Sequence, residues 1–349
     1  MQPSDLFRQM SRARAFEDAL AALWREGHIS GEMHLGTGEE GVAAGVAACL
    51  RPGDAVALDH RATPVLTVLG VDLVAMLREM LGREDGLQRG RAGHMHLMSR
   101  AHLAAASGIV GSSGPLGAGF ALAARALRPA AVSVAFFGDG AMNQGMLLET
   151  LNLAAAWKLP LVLVCKDNGW AIATRSESVT GGSLTARAAA FGLPAVEVDG
   201  ADAMAVARAA GEAVERARRG KGATFLHARV SRIEGHFLGD ALVRAGRAPI
   251  AEGKELLGAV TSAALAPTGG GIGARAGSVF RLLNLMRLAR RQDRDSKADP
   301  LERARRELHD GEAAGLEQEA AAEVESAVEA ALGVEPGAGA PGGSSRWRG

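Results

Sequence analysis

The sequence has no tyrosine among its 349 residues and only two cysteines, and aromatic side chains make up 4% of it. It also lacks net charge: Lys+Arg and Asp+Glu both number 39. That balance gives no broad electrostatic attraction to nucleic acid or to an anionic membrane surface. No apolar run approaches the ~20 residues that cross a bilayer. The opening stretch, MQPSDLFRQMSRARAFEDAL, contains no signal-peptide core. The expectation is therefore a cytoplasmic protein without an integral membrane segment. Cys49 and Cys165 stand in apolar surroundings and are expected to be buried free thiols of a reducing compartment. What remains is ordinary for a globular chain, with 48% hydrophobic and 22% charged residues. The length suits one large α/β domain or two smaller ones.

Apolar spacing predicts an amphipathic helix over 4–26, with Ser4 as N-cap and Leu6, Met10, Phe16, Leu20, Leu23 and Trp24 inward. Further helices are expected over 39–50, 71–81, 111–127, 143–157 and 202–219, and strands over 55–58, 132–137, 161–166, 195–198 and 223–230. The segment 86–108 shows no period and reads as loop. Alternating strands and helices imply a doubly wound parallel sheet, α/β in class. Beyond about residue 240 the character changes. A helical extension is expected over 246–333, with a Gly-rich linker at 264–277, a basic amphipathic helix at 278–291 and a surface helix pair at 301–332, before a disordered tail at 334–349.

The chemistry concentrates between Gly138 and Thr174. An apolar run, AVSVAFF, feeds directly into Gly138-Asp139-Gly140, and a second, LPLVLVC, leads to Asp167-Asn168-Gly169. Asn168 follows Asp139 by 29 residues, an interval that one strand–helix–strand crossover fills. A carboxylate and a carboxamide then arrive at neighbouring strand ends, where open α/β sheets bind ligands. Glycines there let backbone N–H groups approach a phosphate. Oxygen donors of this kind suit Mg²⁺, which takes one or two carboxylates and completes its octahedron with phosphate oxygens and water. GTGEEG at 36–41 satisfies a dinucleotide fingerprint by pattern, but no convincing strand precedes it and Glu39 and Glu40 would face any pyrophosphate, so that reading is rejected. His94 and His96 form an H-x-H pair without a third ligand nearby, which is weak evidence for a metal.

GDG followed about thirty residues later by Asn resembles the thiamine diphosphate motif, and GDGAMNQGMLLETLNLAAAWKLP resembles the alpha subunit of the thiamine-dependent 2-oxoacid (pyruvate or branched-chain) and acetoin dehydrogenases. The resemblance runs from about residue 6 to 245 and includes MHLGTGEEGVAAGV, GRAGHMHL, SGIVGSSGPLGAGFALA and EGHFLGDALVR. It implies a thiamine diphosphate-binding domain over 1–245. It further implies that Asp139, Asn168 and the main-chain oxygen of Trp170 ligate Mg²⁺, and that Arg61, Gly140 and Ala141 meet the diphosphate. His60, Gly108 and Val110 would line the cofactor site. His34 and His236 would be catalytic, with His236 also beside the cofactor. The activating glutamate of this family belongs to a beta subunit. The resemblance thus implies an α2β2 heterotetramer that acts on a small 2-oxoacid or acetoin and passes an acyl group to a lipoyl-bearing acyltransferase.

Three positions depart from the family pattern. Arg61-Ala62-Thr63-Pro64-Val65 replaces Arg-x-His-Gly-His, which bears on substrate more than on cofactor. Asp167 stands where many relatives have Asn. Phe237 stands where phosphorylated relatives have Ser, so no such regulation is expected there. Two other readings compete: a stand-alone thiamine diphosphate lyase or transketolase-like enzyme, which would need its own activating glutamate, and a degenerate alpha-like subunit with a structural role.

Overall fold

The computed structural model describes residues 2–240 and 299–333, together with the isolated positions Ser262, Gly277, Phe280 and Asn284. The expected linker at 264–277, basic helix at 278–291 and tail at 334–349 otherwise lie outside the described residues. The described chain is an α/β fold. Its main sheet runs in the order β2-β3-β1-β4-β5-β9-β8, with β1 Ala55–Leu58, β2 Met98–Ser99, β3 Ala104–Ala106, β4 Ser133–Gly138, β5 Leu161–Asp167, β8 Ala195–Asp199 and β9 Thr224–Arg229. All neighbours pair in parallel except β2 and β3. A separate hairpin joins β6 Trp170–Ala171 to β7 Thr174–Arg175.

Both faces of the sheet are covered, which is why the central strands read as continuous apolar runs rather than as alternating ones. Val134 and Phe136 of β4 and Val162 and Val164 of β5 enter one core. Their neighbours Ala135, Phe137, Leu161, Leu163 and Cys165 enter the other. The first core is closed by α1 Pro3–Arg25, α2 Glu40–Ala47, α4 Leu73–Met80 and α8 Ala203–Arg218, and the second by α5 Ser113–Leu127, α6 Gly145–Ala156 and α7 Leu184–Ala190. Each fully buried Phe or Leu contributes roughly 2 kcal/mol of hydrophobic stabilisation.

Several expectations need correction. Ser4 lies inside α1 and is not its cap: the helix starts at Pro3, after Gln2, whose N–H donates to the Asp5 carboxylate at 3.1 Å. The segment 86–108 holds β2 and β3, and β3 pairs with β1 despite its lack of any apolar pattern. A short helix, α3 Thr63–Val68, follows Arg61, with Pro64 in its first turn. α7 lies in what reads as loop. Cys165 is buried, but Cys49 is only half-buried. The surface helix pair is α9 Pro300–Arg305 and α10 Asp310–Leu332. α10 is not wholly superficial, since Leu316, Val324 and Val328 are buried, the latter two in the same core as α1 and α4.

Two buried carboxylates fasten α1 to its surroundings. Arg14 donates to Glu40 at 2.6 Å and, through both terminal nitrogens, to Asp299 at 3.1 Å, tying α1 to α2 and to the start of α9. Glu40 is fully buried, so removal of Arg14 strands a charge. Glu17 accepts from the Gly36 N–H at 2.7 Å and so pins the loop that precedes α2. Burial, reinforced by Glu40 and Glu39, raises the Glu17 carboxyl from 4.5 to about 8.

Arg14→Ala is expected to cost about 3 kcal/mol, measured as a fall in the denaturation midpoint; an unchanged midpoint would mean that the pair contributes nothing net. For Glu17 the folded chain keeps a proton that the unfolded chain has released. Stability therefore falls as pH rises from about 4.5 to about 8. Glu17→Gln should flatten that decline and stabilise the chain at pH 9 by at least ~1 kcal/mol. A decline of the same steepness in the variant would remove Glu17 as its source.

Candidate active site

The chain passes from β1 outward to β3 and then back across β1 to β4, so the sheet has its switch point between these strands. Ligand crevices of open α/β sheets form at such points, outside the carboxyl ends. Here β1 delivers Asp59-His60-Arg61, β3 delivers Ser107-Gly108, β4 delivers Asp139 and β5 delivers Asn168. They surround a cavity of about 240 Å³. His60, Arg61, Gly108, Val110, Asp139, Gly140, Ala141, Asn168, Trp170 and His236 all line it, while His34 stands just behind, against His60 and His236. A larger cavity, about 300 Å³, lies between α1, α9 and α10, but its arginine, Arg14, is already engaged by Glu40 and Asp299.

The register of β4 against β5 sets Gly138 opposite Lys166, so Asp139 and Asn168 follow side by side. The Asn168 N–H donates to Asp139 Oδ1 at 3.4 Å, and the Ser176 hydroxyl donates to Oδ2. Asp139 is 1% exposed. Burial, together with the charge of Asp167, raises its carboxyl to about 6, against the pull of those hydrogen bonds. Gly169, at φ +76°, makes the turn after β5, and Asn168 Oδ1 accepts from the Trp170 N–H at 3.1 Å. Asp167 faces elsewhere. It accepts from the Gly169 N–H at 2.8 Å and meets His227 Nε2 at 2.7 Å, which holds its carboxyl below the ordinary value although burial opposes this.

Arg61 is the cation in the cavity lining, with Arg232 and Arg175 behind it against the Trp170 ring. Arg61, 4% exposed, donates to the carbonyls of Leu35 and, at 2.8 Å, His236, so it joins the loops that carry His34 and His236. Arg232 stacks on Trp170 at 5.4 Å, with Arg175 at 5.1 Å from the same ring. Burial and the nearby Arg61 lower Arg232 to about 10. It donates at 2.9 Å to the carbonyl of Ile172, a β-branched residue held at φ +54° in the β6–β7 turn.

Four imidazoles gather beside Arg61. The rings of His34 and His236 lie 4.7 Å apart and those of His34 and His60 4.9 Å. His94 Nε2 is 3.0 Å from His34 Nδ1 and accepts from the His34 N–H at 3.2 Å. Burial first, then neighbouring charges such as Arg61, lowers His34 to about 2, His60 to about 3, and His94 and His236 to about 4. All four are neutral at pH 7. The nitrogens of His34, His60 and His236 lie within 4.8 Å of one another, but Arg61 stands 3.5 Å from His236 Nδ1, where it opposes a cation. His96 is near His94 and accepts from the Gly108 N–H at 3.5 Å.

Sequence reasoning missed Lys166, Ser176 and Asp59, and set Glu39 aside as a repulsive neighbour. Lys166 carries a signal in hindsight, as a lone cation in a strand otherwise apolar until it ends. Ser176 carries none. The mouth of the cavity is apolar and open: Ile109, Val110 and Ile172 are 63%, 53% and 59% exposed.

Comparison with known proteins agrees with the motifs. The dehydrogenase E1 component family matches residues 8–246. The alpha subunit of the acetoin:2,6-dichlorophenolindophenol oxidoreductase of Bacillus subtilis (strain 168) is 43% identical over 238 residues, covering 68% of this chain and 72% of that one. Its counterpart from Cupriavidus necator is 42% identical over the same shares. The pyruvate dehydrogenase E1 component subunit alpha of Zymomonas mobilis is 37% identical over 254 residues, 72% of each chain. With a family match over most of its length and relatives up to 43% identical over more than two thirds of their own length, the chain belongs to the dehydrogenase E1 component family, among the alpha subunits of 2-oxoacid and acetoin dehydrogenases.

Proposed function

We propose that the chain is the thiamine diphosphate- and Mg²⁺-binding alpha subunit of an enzyme that oxidatively decarboxylates a 2-oxoacid or cleaves acetoin, and that passes the acyl group to a lipoyl-bearing acyltransferase. Residues 1–245 are the cofactor-binding unit, and of the extension at 246–333 the described part, 299–333, is helical. The observation that carries this reading is the meeting of Asp139 and Asn168 at adjacent strand ends over a cavity also lined by Arg61, His60 and His236. The donor set fits a magnesium diphosphate. Asp139 is a buried carboxyl beside the cavity, its pKa raised by burial and by Asp167, so a cation there would favour its charged form. His60 Nε2 and Trp170 Nε1 are buried without partners beside the cavity.

In this reading Asp139 Oδ atoms, the Asn168 amide oxygen and the Trp170 main-chain oxygen hold Mg²⁺, while Arg61 and the backbone at Gly140 and Ala141 face the phosphates. Thiamine diphosphate, when bound there, would supply a nucleophilic carbon centre. His34 and His236, held neutral by burial, would present ring nitrogens to the substrate beside it, and an anionic diphosphate there would raise their proton affinity toward the range useful for proton transfer. The activating acid comes from a beta subunit, and the working assembly is an α2β2 heterotetramer. Zero net charge, two free cysteines and the absence, among the described residues, of a helix long and apolar enough to cross a membrane accord with a cytoplasmic site of action. Acetoin is the first substrate to test, because two relatives named for it are 43% and 42% identical, against 39% and 37% for two named for pyruvate dehydrogenase.

Co-expressed with its beta subunit, the chain should reduce 2,6-dichlorophenolindophenol with acetoin, pyruvate or a branched-chain 2-oxoacid, and only when thiamine diphosphate and Mg²⁺ are present. Turnover by the chain alone would favour the stand-alone lyase instead. Asp139→Ala should abolish Mg²⁺-dependent binding of thiamine diphosphate in a calorimetric titration, at least a ~100-fold loss. A bound cofactor of unchanged affinity would remove the metal-ligand assignment.

A further inference from the structure

Lys166 is 2% exposed, near the end of a strand whose preceding residues, LVLVC, are all buried and apolar. Val162 and Val164, which precede it on the same face of β5, pack in the core, and period-2 alternation assigns this position to that core as well. Instead its Nζ lies 2.6 Å from Glu39 Oε2 and 3.0 Å from Asp59 Oδ1. Glu39 stands immediately before α2 and Asp59 immediately after β1, so one ammonium joins the ends of three elements. Glu39 Oε1 is in turn 3.9 Å from Arg61 Nε, and Asp59 Oδ1 accepts from the Arg61 N–H at 3.2 Å.

Glu39, Asp59 and Arg61 all line the cavity. Two carboxylates on its floor would repel an anionic ligand and would draw the Arg61 charge to themselves. With Lys166 in place the four groups sum to zero: two negative charges on Glu39 and Asp59, two positive on Lys166 and Arg61. Without it the sum is −1, at a depth where water screens little. We propose that Lys166 is a positioning residue for the diphosphate, a buried counter-charge that offsets one of the two carboxylates, so that Arg61 balances only the other and the cluster facing the ligand is neutral rather than anionic. The inference rests on the reading that this cavity takes thiamine diphosphate.

The test is calorimetric titration of Mg²⁺ and thiamine diphosphate into the full chain with its beta subunit, with thermal unfolding of the cofactor-free complex as the control for folding. Lys166→Met should weaken binding at least ~10-fold. Adding Glu39→Gln to Lys166→Met restores a neutral sum and should recover most of that loss, which a purely structural defect at Lys166 would not do. Glu39→Gln alone raises the sum to +1 and should bind at least as tightly as the parent; because it keeps Lys166, it remains informative if Lys166→Met fails to fold. Unchanged affinity in Lys166→Met, a double variant no better than the single, or weakened binding in Glu39→Gln would each overturn the inference. If the parent complex itself binds no thiamine diphosphate, it is the underlying reading that fails.

Discussion

The site depends on the register of β4 against β5. Gly138 pairs with Lys166, and the residues that follow each of them bring Asp139 within hydrogen-bonding reach of the Asn168 backbone. A slip of one residue would exchange the faces of the sheet. Because both faces are packed, the slip would press Phe136 into the space shaped for Ala135 and leave Ala135 underfilling the space shaped for Val134. The geometry of a polar pair at the sheet edge is thus held by apolar packing well inside it. The same register fixes Lys166, whose strand partner Gly138 has no side chain of its own to occupy that face.

Burial at the strand ends also sets the electrostatics. Asp139 is pushed toward its neutral form, and the four clustered histidines are held in theirs. These shifts share one cause, removal from water, but differ in consequence. For Asp139 the penalty is one that a bound cation relieves. For the imidazoles it removes positive charge that would otherwise add to Arg61 and Arg232, and it leaves bases in place of acids. In the proposed reading, Arg61 in the cavity lining with neutral rings beside it suits an anion while keeping unprotonated ring nitrogens at hand.

The long buried strands were legible because β4 and β5 are apolar on both faces, and Asp139 and Asn168 stood out as polar residues directly after such runs. β3 was not, since three alanines carry no pattern and its pairing with β1 is set by tertiary context. α3 was hidden because Pro64 reads as a breaker, although the first turn of a helix has no partner for the N–H that proline lacks. The histidines were legible only through their motifs, and nothing in the local sequence shows that His34, His60 and His236, so far apart along the chain, share one cluster. Glu39 was judged by its own charge. Its acceptability depends on Lys166, 127 residues away, and charge compensation at that separation leaves no local trace.

The cavity mouth bears on why this chain belongs with a partner. Ile109, Val110 and Ile172 are more than half exposed at the rim, directly beside buried Asp139 and Asn168. Scattered apolar residues on a surface need no explanation, but these border a cavity whose charged groups are tuned by dryness. With the rim open, water reaches the ligand and screens Asp139 and Arg61. An apolar surface laid against Ile109, Val110 and Ile172 would exclude that water and strengthen each charged contact beneath it. A second subunit at this position does two things at once in the proposed reading: it brings the missing acid and completes the low-dielectric surroundings that the residues of this chain already presuppose.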